Sequence, residues 1–347
     1  MDTVEKIKLI TRPPTSEVVT YKELDVLFAS NERPKHYIGL EISGFLHLGS
    51  LISTGYKIND FANAGMDCTV FLADWHTMIN DKIGGDMEKI SIVSNYYEKA
   101  FKTVCPRVSI IRGSELYDKT PEYWTELVKF ARHMPLARTM RALTIMGRTE
   151  TENTDLAKLL YPAMQAMDIR FLDVDVAHSG MDQRKIHMLV RDIFPKMNWK
   201  VPVAIHHSLL PGLSKPANQD ESKSGKMSKS NPDSGIFMHD DGQVIRSKIK
   251  KAWCEVGVTE NNPLLEIVRQ IIFHENKEIT VERPEKFGGN VTYTEFEQIH
   301  ADYASSKLHP GDLKDTVSKY LVPIVTGLAQ KISLGDDVKN AILDRST

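Results

Sequence analysis

The sequence predicts an α/β protein: an open parallel sheet with helices on its faces, followed by a helical tail. Three observations support that class. Short apolar runs such as Asp67-Cys68-Thr69-Val70-Phe71-Leu72-Ala73-Asp74 alternate with longer segments in which apolar residues recur at a helical period. The first strand, helix and strand fit within about forty residues, the length of a right-handed βαβ unit. Beyond about residue 242, strand-like runs give way to helical periodicity.

Taken in order, residues 1–34 form a helical preface, with helices over 1–10 and 21–28 around a Pro-Pro turn. A strand over 35–41 leads through Ser43-Gly44 into a helix over 47–64. Its apolar positions include Leu48, Leu51, Ile52, Ile58, Phe61 and Ala62. After the strand over 67–74 come a helix over 86–104, a strand over 107–111 and one or two helices over 121–146. A polar break over 147–155 precedes a helix from 156 to about 170. Strands are expected over 171–177 and 201–205, with a helix over 183–194 between them. Residues 113–165 read as a helical insertion between the halves of the sheet. Helices over 243–254, 263–274, 294–305 and 311–331 make the tail all-α. The domains are therefore placed at 1–240 and 241–347, with a polar loop over 212–235.

The 347 residues are enough for one large domain and a smaller one. Lys and Arg number 44 against 46 Asp and Glu, a net charge of −2 that argues against indiscriminate nucleic-acid binding but permits a local basic face. Cys68, Cys105 and Cys254 are scattered and odd in number, as expected of reduced cytoplasmic thiols rather than a disulfide frame or a zinc site. No apolar run is long enough for a membrane span, and Met1-Asp2-Thr3-Val4-Glu5-Lys6 lacks a signal peptide's apolar core.

Two stretches bear chemistry. The first is Ser224-Gly225-Lys226-Met227-Ser228-Lys229-Ser230-Asn231, flanked by turn residues that bury no apolar surface. Lysines on such a loop suit a polyanion whose charge builds up during reaction; alone, they read rather as a solvated surface. The second is Gly44-Phe45-Leu46-His47-Leu48-Gly49-Ser50, where the first strand turns into its helix. Helix N-termini at that end of a parallel sheet favour anions. Gly44 and Gly49 let backbone approach a ligand, and His47 can donate to a phosphate oxygen. By itself His47 could also be a cap or a core residue. A third feature is the stripe Tyr161, Gln165, Asp168, spaced to share one helix face. Its buried Gln and Asp need polar partners, from a ligand or from a packed neighbour.

Together the two stretches resemble the His-Ile-Gly-His and KMSKS signatures with which class I aminoacyl-tRNA synthetases hold ATP. The second is complete; in the first, Leu48 stands for Ile and Ser50 for the last His. Tyr37-Ile38-Gly39-Leu40-Glu41, the run from Tyr161 to Asp168 and the run from Val174 to Met188 are similar to tyrosyl-tRNA synthetases of the archaeal and eukaryotic type. That likeness extends from about residue 33 to 325. The resemblance implies a Rossmann-like catalytic domain with a helical insertion and an all-α anticodon-binding domain. It implies a homodimeric, cytoplasmic tyrosine–tRNA ligase that uses L-tyrosine, ATP with Mg²⁺, and tRNA(Tyr), with no membrane partner. Catalysis would fall to His47, Lys226 and Lys229. ATP would also meet Gly44, Gly49, Ser228 and, at the ribose, Asp182. Tyr37 and Asp168 would hold the phenolic hydroxyl of tyrosine, and Tyr161, Gln165 and Gln183 its α-amino group. Arg138, Arg184 and Lys185 would meet the tRNA acceptor stem, and Phe287, His309 and Asp312 the anticodon.

Alternatives remain at this level. Phe287 could be a core residue before a Gly-Gly turn, and Asp312 a helix cap. Arg246, Lys248, Lys250 and Lys251 could meet phosphate or form a solvated face. A tryptophanyl-tRNA synthetase would share both ATP signatures but not the phenol-reading pair. A small-molecule adenylate-forming ligase would have no use for the helical tail, and a non-catalytic RNA-binding relative would tolerate loss of the two lysines.

Overall fold

The computed structural model describes residues 1–147, 154–216, 227 and 232–344. They fall into two compact units: Met1–Gly44 with Lys57–Ser208 and Gly335–Thr347, and Phe45–Tyr56 with Leu209–Leu334.

The first unit is built on six strands: β1 (Thr15–Val19), β2 (Lys35–Leu40), β3 (Asp67–Leu72), β4 (Ser109–Arg112), β5 (Val176–Gly180) and β6 (Val203–His207), in the order β1-β6-β5-β2-β3-β4. All neighbours are parallel except β1, which pairs antiparallel with β6. The chain lays β2, β3 and β4 outward to one edge, then returns to place β5 against the other side of β2. The strand order therefore reverses between β2 and β5, where open α/β sheets bind ligands beyond their carboxyl ends. The return passes through the helices Gly113–Lys119, Tyr123–Ala131, Leu136–Ala142 and Leu156–Phe171. Tyr123, Phe130, Leu143, Met164 and Met167 of that segment belong to the main core.

Local sequence sets the helix boundaries. Asp2 with Glu5, and Thr20 with Glu23, form reciprocal capping boxes at Thr3–Thr11 and Tyr21–Ser30. Asp86 and Asp155 accept from the first backbone N–H groups of Met87–Val104 and Leu156–Phe171. The strand expected over 171–177 starts later. The helix runs through Phe171, whose ring lies 5.4 Å from Tyr123, and Asp173 (φ 51°) makes the turn into β5. Strand β1 was not expected at all, since the preface reads as helical.

Residues 48–53, in the second unit, form a π-helical turn that the chain continues as the Thr54–Asn63 helix, whose residues from Lys57 on belong to the first unit, so the helix expected over 47–64 has two parts. The tail is helical, with Gly242–Lys251, Pro263–Ile267, Phe296–Ala304 and Pro310–Ile332. It also holds a two-stranded antiparallel ribbon, β7 (Ile279–Val281) with β8 (Val291–Tyr293), which periodicity did not predict. Among the described residues no helix is long and apolar enough to cross a membrane.

Candidate active site

In the first unit, β2 and the Leu156–Phe171 helix bring Tyr37 and Asp168 into electrostatic contact. Tyr37 is folded back over its own strand. A Cβ at Gly39 would fall 2.3 Å from the Tyr37 hydroxyl, so the position admits only glycine while that ring stays in place. Asp168 is 1 % exposed. Its Oδ1 accepts from the hydroxyls of Tyr123 (2.8 Å) and Tyr117 (3.1 Å), whereas Oδ2 has no hydrogen-bond partner and lies 3.6 Å from His76 Nε2. Burial pushes the Asp168 carboxyl well above the usual carboxylate range, against the pull of the two tyrosine donors. Burial also raises the Tyr37 hydroxyl, with the Asp168 charge adding to it, and lowers His76 to about 3, so that imidazole is neutral.

The same helix supplies Tyr161 and Gln165. Tyr161 stands edge-on to the His76 ring at 4.5 Å. Gln165 Nε2 donates to Gln183 Oε1 (3.5 Å), and Gln183 Nε2 donates to the Ile145 carbonyl (3.0 Å). This chain leaves the buried Gln165 Oε1 as an acceptor without a partner. The unit thus gathers an unpartnered carboxylate oxygen and an unpartnered amide oxygen, both buried, beside a neutral imidazole and among aromatic rings. Such groups are costly to bury unless a ligand pairs with them. Sequence reasoning placed Tyr37, Tyr161, Gln165, Asp168 and Gln183 here, and the structure brings all five into this unit. It missed His76, Tyr117 and Tyr123. His76 lies just past the carboxyl end of β3, a position that marks ligand contacts in open sheets. The two tyrosines sit in the insertion, where no sequence pattern singles them out.

In the second unit, His47 opens the π-helical turn. Its N–H donates to Ser50 Oγ (3.0 Å), and its Nδ1 accepts from the Ser50 N–H (3.4 Å). An accepting Nδ1 places the ring proton on Nε2, which makes that nitrogen a donor. Ser50 therefore has a definite task where the signature's last imidazole would stand. The segment is tied to the far end of the lysine loop: Leu48 N–H donates to the Ile236 carbonyl (3.0 Å) and Met238 N–H to the Leu46 carbonyl (2.9 Å). Met227, at the centre of the second signature, is buried and donates its N–H to the Leu210 carbonyl (3.1 Å). A Cβ on Gly49 would lie 3.4 Å from Leu210 Cβ. Lys226, Ser228 and Lys229 lie outside the described residues. Lys248 is no solvated charge: it pairs with Asp240 (2.6 Å) and donates to the carbonyl of Gly235 (3.0 Å), the last residue of the loop. Gly44, in the first unit, takes a positive φ of 126°, and its carbonyl accepts from the Tyr97 hydroxyl.

The residues expected to meet RNA are spread over both units. Arg184 Nε binds Glu17 (2.8 Å), Lys185 donates to Thr144 Oγ1 (2.8 Å), and Arg138 pairs with Asp192. Asp182 follows the end of β5 in a short turn. Phe287 is 62 % exposed beneath Lys286, so it is no core residue. His309, whose Nδ1 accepts from the Gly311 N–H, caps the Pro310–Ile332 helix; Asp312 lies within its first turn and does not.

A mostly parallel α/β sheet whose unit buries unpartnered polar groups among aromatic rings, and, in the other unit, a turn capped by His47, define the class of an α/β ligand-binding protein. Comparison with known proteins makes the class specific. The family described as tRNA synthetases class I (W and Y) matches residues 29–325, and the chain belongs to that family. It is 43 % identical to the tyrosine–tRNA ligase of Thermococcus sibiricus, the alignment covering 94 % of each chain. The crystal structure of tyrosyl-tRNA synthetase complexed with L-tyrosine from Pyrococcus horikoshii superimposes with a TM-score of 0.90 at 40 % identity, covering 99 % of each chain. The Leishmania major tyrosyl-tRNA synthetase in complex with tyrosinol gives 0.88 at 29 % identity, covering 100 % of this chain and 53 % of that one. The chain is an aminoacyl-tRNA synthetase of the tyrosine type.

Proposed function

We propose that this tyrosine–tRNA ligase works in two steps through the residues named above. The tyrosine carboxylate attacks the α-phosphorus of ATP, forming tyrosyl-adenylate and releasing pyrophosphate. The tyrosyl group then passes to the 3′-terminal ribose of tRNA(Tyr). A carboxylate is already nucleophilic at neutral pH, so the first step needs positioning and cationic stabilisation rather than a general base. His47 Nε2–H, Lys226 and Lys229 supply that stabilisation to the departing pyrophosphate, with Gly44, Gly49 and Ser228 beside the phosphates and Asp182 on the ribose. Tyr37 and Asp168 read the phenolic hydroxyl; Tyr161, Gln165 and Gln183 take the α-ammonium. Mg²⁺ bound with the ATP would share the charge of its phosphates. Arg138, Arg184 and Lys185 meet the acceptor stem, and Phe287, His309 and Asp312 the anticodon. The enzyme acts as a cytoplasmic homodimer.

The observation that supports this reading best is the unpartnered, buried Oδ2 of Asp168 among tyrosine, histidine and phenylalanine rings. A phenolic O–H satisfies it, and a phenyl ring leaves it stranded. ATP–pyrophosphate exchange measured with each of the twenty amino acids tests it. Tyrosine alone should support exchange, and exchange with tryptophan instead would overturn the reading. A Lys229→Ala variant should lower the exchange rate with little change in the tyrosine KM, as a group acting on the transition state requires.

A further inference from the structure

We propose that Tyr117 and Tyr123 determine the preference for tyrosine over phenylalanine by locking the carboxylate of Asp168. The inference rests on the assignment of Asp168 to the substrate's phenol. Both hydroxyls converge on a single oxygen, Oδ1, at 3.1 and 2.8 Å, and leave Oδ2 to the pocket. Neither tyrosine can swing away. Their rings stand 4.4 Å apart, and Trp75 and Trp124 meet the Tyr117 ring at 5.8 and 5.7 Å. Tyr123 also packs on Phe171 and shares its hydroxyl proton with the Met164 carbonyl at 3.0 Å, on the helix that bears Asp168.

The consequence concerns what happens when the substrate lacks a hydroxyl. A site rejects phenylalanine only if its polar group cannot find another partner. An unclamped carboxyl could rotate part-way about its torsion until both oxygens met donors within the pocket. Two donors on Oδ1 make that rotation cost both bonds. Oδ2 therefore stays unpaired unless a phenol arrives. His76, 3.6 Å away and neutral, gives it no ionic partner. Tyr117 and Tyr123 are thus positioning residues: they act through Asp168.

Tyr117→Phe, Tyr123→Phe and the double variant remove the hydroxyls and keep the rings. ATP–pyrophosphate exchange by the full chain is read with tyrosine and with phenylalanine, alongside Asp168→Asn. Each single variant should raise the tyrosine KM about ten-fold, the value of one hydrogen bond to a charged group, and leave the ATP KM alone. Phenylalanine kcat/KM should hold or rise, so the tyrosine-to-phenylalanine ratio narrows, further in the double variant. A parallel fall with both amino acids would overturn the proposal, because a merely structural role predicts it. If Asp168→Asn collapses the ratio while the hydroxyl variants keep it, the clamp is refuted and the pocket assignment stands. If Asp168→Asn also leaves the ratio intact, the pocket assignment itself fails.

Discussion

At Asp168 the demands of folding and of recognition oppose each other. In the unfolded chain its carboxyl ionises near the usual 3.8; in the fold, burial holds it well above that. The unfolded state therefore releases this proton at lower pH than the folded state does. Its contribution favours the fold most below the unfolded pKa and is lost as pH rises from there through the folded value. Asp168→Asn keeps an acceptor for Tyr117 and Tyr123 and places an N–H₂ toward the neutral His76. It should stabilise the fold at pH 7 by about 1–3 kcal/mol and by little near pH 4, while tyrosine activation drops. Thermal melts at the two pH values check this; a variant less stable at pH 7 would contradict it. Ser50 shows a second residue-scale effect. Its hydroxyl accepts from the His47 backbone N–H, while its own backbone N–H donates to the His47 ring. Ser50→Ala frees the His47 backbone N–H but keeps the backbone N–H that meets the ring, so it should cost about 1 kcal/mol in melting and leave the ATP KM nearly unchanged, whereas a several-fold rise in the ATP KM would mean that the hydroxyl itself positions the ring.

On the scale of the sheet, the feature that stands out is buried imidazole. His36 Nε2 meets His178 Nδ1 (3.1 Å) and His178 Nε2 meets His207 Nδ1 (2.7 Å), linking β2, β5 and β6. Consecutive strand residues face opposite sides, so His206 turns the other way, to His187 (3.0 Å) and Glu17 (2.8 Å). Burial lowers His36 and His187 to about 3 and His207 to about 4, and His178 lies well below 6.5. Between pH 6.5 and those values the unfolded chain holds protons that the fold does not. Stability must then fall as the solution is acidified, by up to about 1.4 kcal/mol per pH unit for each such group. Urea unfolding at pH 7.5 and 5.5 should show a loss of a few kcal/mol, before most carboxylates titrate. A flat profile over that interval would mean that the imidazoles protonate inside the fold.

For the molecule as a whole, what could be read in advance is what the chemistry repeats locally. The signature around His47, the Tyr161–Gln165–Asp168 stripe and the strand–helix alternation are each contained in a short window, and each is where the sequence suggested. What escaped depends on partners far along the chain. Strand β1 exists because Val18 pairs with Ile205, and β7 and β8 are three residues each, too short to show alternation. Tyr117 and Tyr123 acquire meaning only once the insertion folds back on Asp168. Phe287 lies between these cases: its turn was legible, its exposure was not. Gly288 and Gly289, at φ 100° and 67°, make the turn that keeps the ring in solvent, with Lys286 Nζ 4.9 Å from its centroid. An exposed aromatic beside a cation is a stacking platform for an unpaired base, at about 1–3 kcal/mol. Phe287→Ala should therefore leave the melting temperature and tyrosine-dependent pyrophosphate exchange as they were. The KM for tRNA(Tyr) in charging should rise ten-fold or more. Equal losses in exchange and in charging would make Phe287 a support of the fold and remove the anticodon assignment from this turn.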